Sequence, residues 1–335
     1  MATLIIGTTA GLFETPFNGD AFTPRPIGFT GPQDGAVRAS VVIDFANPDR
    51  LYVSTTRSGV WRSDDRGRTW TEKNNGLIYK EVWWIEQHQM TGEIYAGTGP
   101  VAIFRSRDGA EHFEEIEALR NAPGRGDWLL HIAPFFARVR TISLAPYNPD
   151  VIYGAIEEGW LIRSLDGGKS WENLREAVGH DCHVVSVAPD DPKRVLAASF
   201  QGVFLSNDAG DTFTKCEQFD TNYVTELNIH PFATERVYGA GALNMPRDWR
   251  TEKGADTRIY ASSDAGRTWN RTLSGLPNSL HGGPRAAAID PADPDVYLVG
   301  TTDGEIWITR DGGLSCSLFG EGLPGWVTAL TVVPS

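Results

Sequence analysis

One eight-residue pattern, S-x-D-x-G-x-T-W, recurs along the chain and limits what it can fold into more than any other feature. It reads SDDRGRTW at 63–70, SLDGGKSW at 164–171, SNDAGDTF at 206–213 and SSDAGRTW at 262–269. Weaker copies in the same phase are SRDGAEHF at 106–113 and TRDGGLSC at 309–316, and a vestige, TPFNGDAF, occupies 15–22. Self-similarity at roughly 40 to 60 residues marks a repeat architecture of supersecondary units that bury their cores against one another.

Each copy closes the same order of segments: an alternating apolar strand, a turn often carrying Asp-Pro or Asn-Pro, a second strand, a small-residue loop and a short third strand. VRASVVIDFANPDRLYVSTTRSGVWRSDDRG from Val37 and CHVVSVAPDDPKRVLAASFQGVFLSNDAG from Cys182 show the correspondence, and TWTEKN from Thr69 supplies a fourth strand. Four strands per unit make a propeller blade. The 36 Gly and 20 Pro are spread along the whole chain, as short strands joined by tight turns require. Nothing reads as a linker. The expectation is one all-β domain over 1–335, a seven-bladed β-propeller of four-stranded antiparallel blades.

The pattern resembles the Asp-box, or BNR, repeat of sialidases, sortilin-type receptors, xyloglucan-hydrolysing enzymes and the seven-bladed photosystem II assembly factor. Within it the Asp accepts backbone N–H bonds of a tight turn, the Gly takes a positive φ, and Thr or Ser bonds the turn again. Asp65, Asp166, Asp208 and Asp264 are therefore read as turn staples, with the Trp packing between neighbouring sheets. Resemblance to sialidases would imply an Arg triad, a Tyr/Glu pair, an Asp acid and an Arg-Ile-Pro motif. Here 24–27 reads PRPI, the composition without the order, and seven repeats stand where sialidases use six. The xyloglucan enzymes place their site between two propellers and this chain has one; the assembly factor is exported, and no export signal is read here. Classical sialidase activity is not expected.

The repeat phase also predicts closure. The first unit lacks an innermost strand, whereas WVTALTVVPS from Trp326 is an innermost strand with nothing after it, so the C-terminal strand completes the first blade and removes an open edge.

The start MATLIIGTTAGLFE has no basic region and no long apolar stretch, which gives the expectation of a soluble, cytoplasmic chain without a membrane contact. A net charge of −13 argues against nucleic acid as a partner. Cys182, Cys216 and Cys316 are odd in number and lack CxxC spacing, so reduced thiols are expected and no cofactor is required.

The residues that break the repeat point to a site. Two units carry insertions, 119–137 and 241–257, which the fold geometry puts on the face where innermost strands begin. Aligned at those beginnings stand Ala39, Trp83, Arg140, His183, Thr225, Arg285 and Thr328, and two residues earlier Val37, Glu81, Arg138, Asp181, Tyr223, Gly283 and Trp326. A purely structural position favours small or aliphatic residues, so Arg138, Arg140, Arg285, Glu81, Asp181, His183 and Tyr223 are candidates to ring a channel mouth. Guanidinium forks hold carboxylates or phosphates and aromatic rings stack on sugars, so the ring suits a small polar, anionic or sugar-like molecule. The catalytic candidates of a hydrolase or lyase are His183 with Asp181 or Glu226 moving protons. Ligand-binding candidates are Arg140, Arg285, Arg138, Glu81, Trp83, Tyr223, Trp326 and His281. The same Arg and Asp residues also suit a structural ion-pair network.

HDCH at 180–183 offers His180 and His183, with His281 or His131 as a third group, for a divalent metal, although the spacing matches no established metal motif. Cys182 is set aside as a nucleophile, since adjacent strand residues point to opposite faces. His88 and His230 fall late in innermost strands and read as structural. A non-catalytic scaffold that binds a protein or peptide is the competing reading, with Trp128, Leu129, Leu130, Phe135, Phe136 and Trp249 as its exposed apolar patch.

Overall fold

The second strand of each repeat is written largely in β-branched, small and aromatic residues, and LYVST and VLAAS are buried along their whole length. A strand covered on both faces needs a neighbour on each side. The computed structural model supplies them as seven four-stranded antiparallel sheets. It describes residues 2–17, 19, 21–29, 37–132 and 135–334, with 37–40 described by backbone alone. The vestigial pattern at 15–22 includes Asn18 and Asp20, and the first insertion includes Ala133 and Pro134, which lie outside the described residues, as do the side chains of Val37 and Ala39.

The innermost strands of blades 1 to 7 are Val327–Val333, Val37–Ile43, Glu81–Gln87, Arg138–Leu144, Cys182–Val187, Tyr223–Ile229 and Pro284–Asp290. Each packs against the next, and the last against the first, so they enclose a central channel. Closure follows the sequence expectation: Val327–Val333 pairs antiparallel with Thr3–Thr8, Thr3 opposite Val333. Among the described residues seven apolar clusters are each shared by two neighbouring blades, and an eighth, around Trp249, lies within blade 6. Ile103 and Ile116 of blade 3, for example, meet Ile142, Ile162 and Trp171 of blade 4. The outermost strands are short and polar, such as Thr71–Glu72 and Glu114–Glu115, which leaves little edge for another chain to pair with. Among the described residues no helix is long and apolar enough to cross a membrane.

The Asp-box turns behave as staples. In the box at 206–213, Ser206 Oγ donates to Asp208 Oδ1 at 2.7 Å and accepts from Gly210 N at 2.8 Å, while Thr212 donates its N–H and its hydroxyl to the two Asp208 oxygens. These bonds hold the Asp208 carboxyl down at about 2. Gly210 sits at φ 88. The weaker boxes keep the geometry through Asp108 and Asp311. Five of the turns also bond the connection between the first and second strands of their own blade, as Ala209 N does to Lys193 O. The boxes therefore lie on the face opposite the starts of the innermost strands.

Candidate functional site

Near its start, each innermost strand slips register against its partner. Val82 and Trp84 pair with consecutive residues, leaving Trp83 unpaired, and the same bulge leaves out Arg140, His183, Thr225, Arg285 and Thr328. In blade 2 the irregularity runs between Val37 and Val41. A bulge bends the strand and re-aims the extra side chain. All six of these residues line one cavity of about 320 Å³ on the channel axis. A second cavity of about 390 Å³ shares Glu86, Ser143 and Ser186 with it and reaches Pro146, Pro189 and Pro231 beyond the far ends of the inner strands.

The row two residues earlier takes a different part. Glu81, Arg138, Asp181, Tyr223 and Trp326 do not line the cavity but hold the residues that do. Arg138 spreads over the Trp83 ring, 3.9 Å from its centroid, and Trp83 Nε1 donates to Glu81 Oε1 at 2.7 Å. Arg138 Nε also donates to Glu157, whose other oxygen lies 3.5 Å from Arg140. Burial alone would push the Glu157 carboxyl up, yet the charges of Arg140 and Arg138 hold it well below the usual carboxylate range. Glu157 was missed in the sequence. Its one signal is its place opposite Arg138, where Val37, Glu81 and Tyr223 face Thr55, Gly99 and Ala242.

His183 is buried. Its Nδ1 lies 2.8 Å from Val224 O and its Nε2 faces Asp181 Oδ2 at 3.1 Å, at an angle too oblique for a good hydrogen bond. Its ring rests 4.3 Å from that of Tyr223. One nitrogen thus faces a backbone carbonyl of blade 6 and the other the Asp181 carboxylate, while the ring lines the cavity. Glu226 is placed differently. It lines the cavity, and burial raises its carboxyl to about 7 against the pull of Arg140 and Arg285. A carboxyl in that range exchanges protons readily near neutral pH.

Arg285 stands apart from the other ring cations. Among the described residues no carboxylate pairs with it, and its buried Nε has no hydrogen-bond partner. It lies 5.1 Å from the Trp249 ring centroid and 5.6 Å from that of Trp326. Burial and the like charge of Arg140 lower it to about 10.

Trp249 reaches this place because blade 7 has Gly283 where its siblings carry large side chains. A Cβ on Gly283 would sit 2.1 Å from the Trp249 ring, so the indole fills the vacant seat. It also meets Tyr223 edge-on at 5.6 Å. This corrects the expected apolar patch: Trp249 is 2% exposed, Trp128 1% and Leu130 5%, and all three are packing residues. Leu129 and Phe135 are exposed, together with Ile132.

The remaining histidines lie outside the cavity. His281 bonds Asp303 at 2.7 Å and Thr251 O at 2.9 Å, and these two acceptors raise its pKa. His180 packs edge-on against Trp160, 6.3 Å from His131, which pairs with Glu158. Among the described residues no three His, Cys, Asp or Glu side chains are grouped to hold a metal ion. Cys182 is fully buried, and burial pushes its thiol well up. His88 and His230 each bond a carbonyl of another blade and cap their own turns, as expected.

The chain has recognisable relatives. A family model described as sortilin, neurotensin receptor 3 (Sortilin-Vps10), matches residues 201–323. A probable oligoxyloglucan-reducing end-specific xyloglucanase of Neosartorya fischeri is 24% identical over 310 residues, 78% of this chain and 36% of that protein. The VPS10 domain-containing receptor SorCS3 of Homo sapiens is 27% identical over 163 residues, 46% of this chain and 12% of that protein. The chain thus spans 36% or less of the length of these curated relatives. Among solved structures, a GH74 enzyme of Niastella koreensis superposes with a TM-score of 0.65 at 16% identity, covering 85% of this chain and 45% of that one. YCF48 bound to a D1 peptide superposes with a TM-score of 0.60 at 16% identity, covering 92% and 84%. At these identities the structural likenesses show the fold. The chain is thus similar over part of its length to sortilin-type and xyloglucanase propellers, and it shares the β-propeller fold with the solved structures.

Proposed function

We propose that the chain binds a small, anionic, sugar-like molecule in the channel cavity and acts on it as a hydrolase or lyase. Arg285 carries this reading. A guanidinium held beside a second cation, Arg140, without a carboxylate of its own is completed by an anion from outside. Thr225 and the neighbouring Ser and Asn groups offer hydrogen bonds to hydroxyls, and Trp83 gives the lining an aromatic face. Glu226 is the proton-transfer group, and His183 with Asp181 and Tyr223 fixes the wall beside it. For an elimination, the two arginines would neutralise a carboxylate and so acidify the carbon next to it; Glu226 takes that proton as the bond from the following carbon to the linking oxygen breaks, a carbon–carbon double bond forms, and the departing oxygen is protonated in turn. For a hydrolysis, the same carboxyl would protonate the leaving oxygen while water adds to the sugar carbon it departs from.

Titration with galacturonate, glucuronate and neutral galactose tests the reading. Uronates should bind and galactose should not; Arg285→Ala and Arg140→Ala should each weaken uronate binding at least tenfold without unfolding the chain. Unchanged binding in both variants would sink it. Unsaturated products from a uronate polymer mark elimination and new reducing ends alone mark hydrolysis; Glu226→Gln should remove either. A protein-binding scaffold is the second reading, favoured by exposed Leu129, Ile132 and Phe135 and by the likeness to a propeller solved with a peptide. Its sign is peptide capture that Leu129→Ser and Phe135→Ser abolish.

A further inference from the structure

The rim of the mouth is divided. Blades 3, 4 and 5 present Glu81, Arg138 and Asp181, whereas blades 6, 7 and 1 present Tyr223, Trp249 in the seat left by Gly283, and Trp326. Outside the aromatic half stands Arg250, exposed, with its guanidinium 4.3 Å from the Trp326 ring centroid. Arg285 approaches the same ring at 5.6 Å from within. Among the described residues neither cation has a carboxylate partner.

The loop that carries Arg250 is braced independently of it. Trp249 Nε1 donates to Asn244 O at 2.8 Å and Asn244 Nδ2 to Gly254 O at 3.0 Å. Lys253 pairs with Asp248 at 2.8 Å, Ala255 N donates to His281 O at 2.6 Å, and His281 Nε2 lies 2.9 Å from Thr251 O. Arg250 is thus carried by a braced loop and remains exposed. Arg250, Arg285 and Arg140 form a file of cations running from the surface into the channel.

We propose that Arg250 and Trp326 form an outer subsite, and that the ligand is an acidic oligosaccharide. Its terminal unit occupies the cavity on Arg285 and Arg140, and a following acidic unit leaves the mouth past Arg250. The assignment rests on the anionic-ligand reading above and extends it to chain length. A cavity of about 320 Å³ is near the small end of the range for ligand pockets, roughly 300 to 1,000 Å³. It has room for about one or two sugar rings, so a monomer in it does not also reach the exposed Arg250. A sugar chain fits better than a polyphosphate, because hydroxyl and amide side chains share the lining with its two arginines. The net charge of −13 also repels densely charged polyanions.

The experiment is calorimetric titration with D-galacturonate and with its α-1,4-linked dimer and trimer. The wild-type chain should bind the trimer about tenfold more tightly than the monomer. Arg250→Ala should bind the monomer as the wild type does and lose the tenfold gain, with Arg250→Lys recovering part of it. Arg285→Ala should lose monomer and trimer together. Monomer binding with no gain on lengthening, or equal losses of monomer and trimer in Arg250→Ala, overturns the outer subsite. Absence of binding by every uronate, the monomer included, overturns the reading on which it rests. Inorganic triphosphate binding more tightly than the trimer overturns the sugar assignment.

Discussion

Two carboxyls in the channel, Glu226 and Glu86, are each raised from 4.5 to about 7, chiefly by burial. Glu86 accepts from Trp84 Nε1 and Leu144 N, and these bonds only partly offset the burial. Since the folded state favours their protonated forms, the stability they contribute is full below the ordinary carboxyl value and is lost as pH rises through about 7. The loss amounts to on the order of 3 kcal/mol for each group. Glu226→Gln and Glu86→Gln should therefore unfold at a higher temperature than the wild type at pH 8 and lose that advantage toward pH 4; thermal melts across that range check it. At the residue scale, legibility in the sequence followed locality. Asp208 makes its bonds within six residues, so its role could be read from spacing. Glu157 acts through Arg138 and Arg140, and nothing in its own segment marks it.

The bulge and the filled seat belong to the scale of the element. Gly283→Ala should drive the Trp249 ring from its place and destabilise the chain by about 1 to 3 kcal/mol, as overpacking does. Thermal unfolding and indole fluorescence report this, and an unchanged emission spectrum would show that the indole does not sit against Gly283. The rows of aligned residues were legible because the strands repeat, and so the residues at the starts of the inner strands were identified. Which row enters the cavity was not, because a register slip depends on the partner strand. The same holds for Trp249: its burial requires a gap on another blade, and the loop read alone looks like an exposed patch.

For the molecule as a whole, seven separate inter-blade cores make stability a matter of closing the circle. A variant ending before Val327 would expose the edge of Thr3–Thr8 and uncover Leu4, Ile6 and Ala286. It should lose its cooperative transition and aggregate, as scanning calorimetry and light scattering will show. Closure was legible because the repeat phase at the two ends adds up to one unit. The bulges have a different consequence. A residue left out of the ladder can be exchanged without disturbing the pairing on either side of it, so the floor of the cavity is written in letters that the strand pairing does not need. Drift can respell that inscription one blade at a time while the frame stays fixed. Propellers of this shape can therefore diverge in ligand long before they diverge in architecture, and the bulged positions are where a designer would begin to change what this one holds.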